Sequence, residues 1–83
     1  MTQAQATRIQ HELLPISKGI PNRDPYLEYG IWILPFDRGG TILNVFLEDR
    51  NLMTETDHAR AKRDASENFK RALGRDHYRH DSA

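Results

Sequence analysis

The chain has 83 residues, carries 12 Lys/Arg against 12 Asp/Glu, and contains no cysteine. That length allows one small domain, and the missing thiols exclude both a disulfide staple and a thiolate zinc site. A formal net charge of zero argues against bulk nucleic-acid binding, which leaves a basic footprint. Leu, Ile, Val and Phe together make up 18 of the 83 residues, just enough to expect a folded middle with loose ends. We expect one domain over residues 1–83, an ordered core at about 26–74 and a flexible tail at 75–83. The longest apolar run, Tyr29 to Phe36, falls far short of a membrane span of about 20 residues. The polar start, Met1 to Gln10, lacks the apolar stretch of a secretory leader, so a soluble, cytoplasmic protein without membrane contact is expected.

The first element lies before Pro15. Ala6, Ile9 and Leu13 fall at helical spacing, while Ile9, His11 and Leu13 also alternate as in a strand. A helix or a strand is expected there, ended by Pro15. Pro15, Gly19, Pro21, Asn22, Asp24 and Pro25 then crowd into loop chemistry.

Tyr26 to Phe36 and Thr41 to Glu48 are rich in aromatic and β-branched residues, and Asp37-Arg38-Gly39-Gly40 stands between them. Two such runs joined by a glycine-rich loop predict a β-hairpin. Pro35 cannot donate to a ladder, so the first strand should end there or lie at an edge. Alternation places Leu27, Tyr29, Ile31 and Ile33 on one face and Glu28, Gly30, Trp32 and Leu34, with Phe36 in phase, on the other. On the second strand Leu43, Val45 and Leu47 share one face, and Ile42, Asn44, Phe46 and Glu48 the other. Which faces join depends on register.

From about Glu55 to Leu73 the chain reads as a helix. Thr54 and Asp57 resemble a capping pair, Ala61, Ala65, Phe69, Ala72 and Leu73 form an apolar stripe, and Gly74 suits the position after the helix end. The fold class is therefore α+β: an N-terminal helix or strand, a β-hairpin, and a C-terminal helix packed on one face of the sheet.

The hairpin is apolar on both sides, and one helix covers only one. The second face must be closed by the N-terminal segment, a second copy or another protein.

Candidate chemistry is thin. His77 and His80, flanked by Asp76 and Asp81, suit zinc or nickel in ligand type, but they lie in the expected tail, and no metal site or cofactor is expected. Asp37-Arg38-Gly39-Gly40 reads as a turn, with neither phosphate-binding glycine pattern present. Glu48, Asp49, Glu55, Asp57 and Asp64 lie at a strand end and on a helix surface, and Ser66 with His58 and Asp57 lacks a nucleophile-elbow context. No catalytic residue is expected, and the chain reads as a non-enzyme.

Two functional expectations remain. The first is a small protein-interaction module that binds itself, as a homodimer, or another protein, through Trp32, Leu34, Phe36 and Phe46. This compact format suits an accessory protein of a bacterium or of a mobile element such as a phage, for instance an inhibitor that occupies a host protein's surface. The alternative is a small dimeric nucleic-acid-binding regulator that uses Arg60, Arg63, Lys70, Arg71, Arg75 and Arg79, with Lys62 and Tyr78 nearby. Asp57, Asp64, Glu67 and Asp76 interleave with those cations and blunt their field.

Overall fold

The computed structural model describes the backbone of residues 1–17 and 19–82, and side chains for residues 1–17 and 19–74. In chain order it contains α1 (Gln3–Glu12), α2 (Leu14–Ser17), β1 (Ile20–Pro21), β2 (Tyr26–Glu28), β3 (Ile31–Arg38), β4 (Thr41–Glu48) and α3 (Glu55–Ser82). The α+β class follows: one antiparallel sheet with both long helices on the same side.

The N-terminal segment is a helix because its first turn is capped twice. The Thr2 hydroxyl accepts from the Gln5 N–H at 3.1 Å, and the Gln5 side chain accepts from the Thr2 N–H at 2.8 Å. This reciprocal box satisfies two donors that a helix start otherwise leaves orphaned. The helix then buries Ala6, Ile9 and Gln10, and its C-cap residue Leu13 continues the stripe. The core therefore begins at α1, twenty residues before the expected start at 26.

Where the sequence suggests one strand from Tyr26 to Phe36, the structure has two. Tyr29 (φ 53°) and Gly30 (φ 77°) form a two-residue turn that folds β2 back on β3, pairing Glu28 with Ile31. Two positive φ values match the twist of a tight hairpin. The turn also moves Leu27 opposite Trp32, onto the face away from Ile31 and Ile33. The second hairpin closes in the same way through Gly39 (φ 67°) and Gly40 (φ 93°), where the Asp37 carboxylate accepts from the Gly40 N–H at 2.8 Å.

Strand β3 is central, contrary to the expectation from Pro35. Along its whole length one edge pairs with β4, and the other edge pairs first with β2 and then with β1. Proline is tolerated because of which edge it faces. The Pro35 carbonyl accepts from the Asn22 N–H at 3.1 Å, and in a strand a residue's nitrogen and carbonyl share an edge. The absent N–H thus falls in the break between β1 and β2, where no ladder bond is lost. The Gln10 amide, buried in that gap, donates to the Pro35 and Arg23 carbonyls at 2.9 and 3.0 Å.

Register settles the faces. Trp32 pairs with Leu47, Leu34 with Val45, and Phe36 with Leu43. Against these six pack Ala6 and Ile9 of α1, Leu13 at its C-cap, and Ala61, Ala65 and Phe69 of α3. Phe36 and Phe69 meet edge to face, with ring centroids 5.6 Å apart. The alanines let α3 approach closely, and Phe69 fills the space they leave.

The start of α3 is the capping pair read from the sequence. Thr54 accepts from the Asp57 N–H at 3.1 Å, and Asp57 accepts from the Thr54 and Met53 N–H groups at 3.2 and 3.1 Å. The end differs from expectation. The helix passes through Gly74 and continues to Ser82, since one glycine costs a helix only about 1 kcal/mol.

Candidate interaction surface

Both long helices pack on one side, so the N-terminal segment does not close the second face of the sheet. The register assigns that face row by row. Ile20, Asp37 and Ile42 form one cross-strand row, Pro35 and Asn44 the next, Tyr26, Ile33 and Phe46 a third, and Glu28, Ile31 and Glu48 the last. Ile33 and Pro35 are buried in the two middle rows, while residues around them are open: Ile20 is 64% exposed, Ile42 46% and Phe46 50%. The Arg23 guanidinium lies over the Tyr26 ring, 4.5 Å from its centroid.

A sheet face in water is ordinarily polar. This one is polar only in Asn44, Asp37 and its glutamates. Tyr29 adds a second kind of signal beside it. It is an aromatic residue at positive φ and 97% exposed, a costly backbone conformation occupied by a costly side chain to expose.

Of the four residues expected to anchor a partner, the structure leaves one available. Trp32, Leu34 and Phe36 are buried in the core, because their face joins the wholly apolar face of β4. Phe46 is half exposed on the opposite side, opposite Ile33. Ile42 and Ile20 were not singled out from the sequence. The signal for Ile42 is the alternation in Thr41 to Glu48, which puts it in phase with Phe46; Ile20 reaches this face only through the pairing of β1 with β3.

The indole N–H of Trp32 donates to Asp49 at 2.9 Å, and the Met1 ammonium donates to the same carboxylate oxygen and to the Arg50 carbonyl. The ammonium, then the indole, holds the Asp49 carboxyl below the usual carboxylate range. Trp32 therefore serves as a tether inside the domain.

The basic residues of α3 sit on its outer side. Arg60, Arg63, Lys70 and Arg71 are exposed there with Glu67 among them, and Lys62 lies on the flank toward Glu12. Arg71 donates to the Asn68 side chain at 3.4 Å, and Asp64 is taken by Arg50 at 2.7 Å. The side chains of Arg75 and Arg79, with Tyr78, His77 and His80, lie outside the described residues.

Among the described residues no group of three or more His, Asp or Glu side chains is placed to hold a metal ion. Ser66, His58 and Asp57 do not assemble. His58 is buried and its Nε2 lies 2.5 Å from Glu12, while Asp57 is engaged in the cap of α3. That contact holds the Glu12 carboxyl below its usual range, helped by nearby Arg8 and Lys62. Arg8 also clamps Glu55 with two hydrogen bonds at 3.2 and 3.1 Å, tying α1 to α3. These polar contacts join the helices, and Arg8, Glu55 and His58 line a small open cleft with Gln5, Leu52, Met53 and Thr54. Among the described residues no helix is long and apolar enough to cross a membrane.

Comparison with protein-family models, with curated proteins and with solved structures gave no match.

Proposed function

We propose that this chain is a non-catalytic protein-interaction module whose contact surface is the sheet face opposite the helices. One observation carries this reading: Ile42 and Phe46 stand half exposed on β4, beside Ile20 and Tyr26, where a solvated face would be polar. Large apolar groups of this kind dominate the energetics of protein contacts. An accessory or inhibitory role, exerted by occupying a partner's surface, needs nothing more than such a face. The outer side of α3 supports the nucleic-acid alternative less well, since Glu67 sits among its cations and Asp64 borders them.

The test is site-specific photo-crosslinking in extracts of source cells. A photoreactive phenylalanine analogue replaces Phe46 in one sample and Arg63 in another. A discrete protein adduct from position 46, lost when Ile42→Ser is added, supports the reading. Adducts from position 63 alone, and with nucleic acid, would replace it with the alternative.

A further inference from the structure

The strand positions of the uncovered face carry Glu28, Asp37 and Glu48 and no Lys or Arg. Arg23, from the loop between β1 and β2, lies over the Tyr26 ring of the same face, so the strand carboxylates outnumber it three to one. Glu28 and Glu48 flank Ile31 in one row, and Asp37 lies between Ile20 and Ile42 at the other end. The face is thus an apolar band with carboxylates at both ends. The exposed cations Arg60, Arg63, Lys70 and Arg71 lie on the outer side of α3, across the molecule. Carboxylates thus predominate on the uncovered face and cations on the outer side of α3.

We propose that the occupant of this face is a basic protein segment, in which apolar side chains are flanked by Lys or Arg, and not a second copy of this chain. The proposal rests on the interaction reading above and names the chemistry of its partner. Charge complementarity is the argument. Burying Ile42 and Phe46 brings the rim carboxylates out of water, which is unfavourable unless cations meet them. A symmetric contact between two copies through this face would bring six strand carboxylates together with only the two Arg23 side chains that lie over Tyr26 to offset them. A head-to-tail contact with the basic outer side of α3 would meet Arg60, Arg63, Glu67, Lys70 and Arg71, which offer no apolar side chain to Ile42 and Phe46. Pairing of two β4 edges is blocked as well. The Asn68 amide of α3 donates to the Phe46 carbonyl at 2.6 Å and occupies that part of the open edge.

The experiment uses the full chain and two synthetic amphipathic peptides. They share one alternating Leu/Phe face, and one is flanked by lysines and the other by glutamates. Binding is followed by amide chemical shifts and fluorescence anisotropy at low and high salt, and light scattering reports the mass. The expected result is a monomer that binds the lysine peptide about tenfold or more tightly than the glutamate peptide, with shifts along β4 and β2. The pair Glu28→Lys with Glu48→Lys should invert that preference, and Ile42→Ser with Phe46→Ser should abolish binding; circular dichroism confirms that each variant is folded. Equal affinity for both peptides at this face would overturn the proposal and leave the interaction reading standing. So would a dimer that protects Ile42 and Phe46. Failure of both peptides to shift β4 in a monomer would overturn both.

Discussion

Ile33 and Phe46 face one another across β3 and β4, on the side of the sheet that no helix covers. One residue away in each strand, Leu34 and Val45 pair on the side that both helices cover. A period of two residues separates a core position from a surface one, and the same substitution has different consequences on the two sides.

Phe46→Ser should therefore cost the fold about 1 kcal/mol or less, the size of a cross-strand pair. Phe36→Ala should cost about 3–5 kcal/mol, because it leaves a cavity beneath Phe69. Urea denaturation of the two variants checks the contrast. Similar losses in both would mean that Phe46 is covered.

Tyr29 holds a positive φ that glycine or asparagine adopts more cheaply. Tyr29→Asn should raise the midpoint of thermal unfolding, by an amount equivalent to about 1 kcal/mol, since Asn-Gly is the favoured pair for this turn. If Tyr29 also contacts the partner, the same variant will be more stable and bind less well. Measuring both on one sample separates the two roles.

Gly19, just before β1, packs against the end of β3, and a Cβ there would lie 2.6 Å from the Asp37 carbonyl oxygen and 2.9 Å from Arg38 Cγ. Backbone at that distance cannot yield without separating β1 from β3. Gly19→Ala should destabilise by about 1–3 kcal/mol. Hydrogen exchange should show the loss first at Asn22, whose N–H bonds the Pro35 carbonyl.

The contact between Glu12 and His58 makes stability depend on pH in a definite direction. The Glu12 carboxyl is held below its ordinary value in the folded chain, first by the hydrogen bond to His58. The folded state thus binds a proton less readily than the unfolded one. The stability Glu12 contributes is fully present above the ordinary glutamate value of about 4.3 and is lost as pH falls through the lower, folded value. Glu12→Gln should therefore melt earlier than the parent at neutral pH, and the two melting curves should converge in acid. A gap that stayed constant with pH would show that Glu12 acts through packing alone.

Local chemistry was legible in the residues. Thr54 with Asp57 marked the start of α3, Gly39-Gly40 marked the hairpin, and Ala61, Ala65 and Phe69 marked the buried stripe of the long helix. Each depends on neighbours a few positions away, whose geometry the sequence dictates. The box of Thr2 and Gln5 was equally readable and would have favoured helix over strand for the first segment.

Three features were decided by contacts distant in sequence. Tyr29-Gly30 turns where a continuous strand seemed natural, because Leu27 and Glu28 find pairing partners on β3. Pro35 stays in a central strand because the gap between β1 and β2 faces its missing donor, and Gln10 of α1 fills that gap. The surface itself follows from register: pairing Trp32 with Leu47 buried three of the four expected anchors and left Phe46, with Ile42, in the open. The alternating residues alone give the hairpin two apolar faces. Which one the helices cover is settled by the packing of α1 and α3, because alternation fixes which residues share a face, whereas that packing selects the face that leaves water.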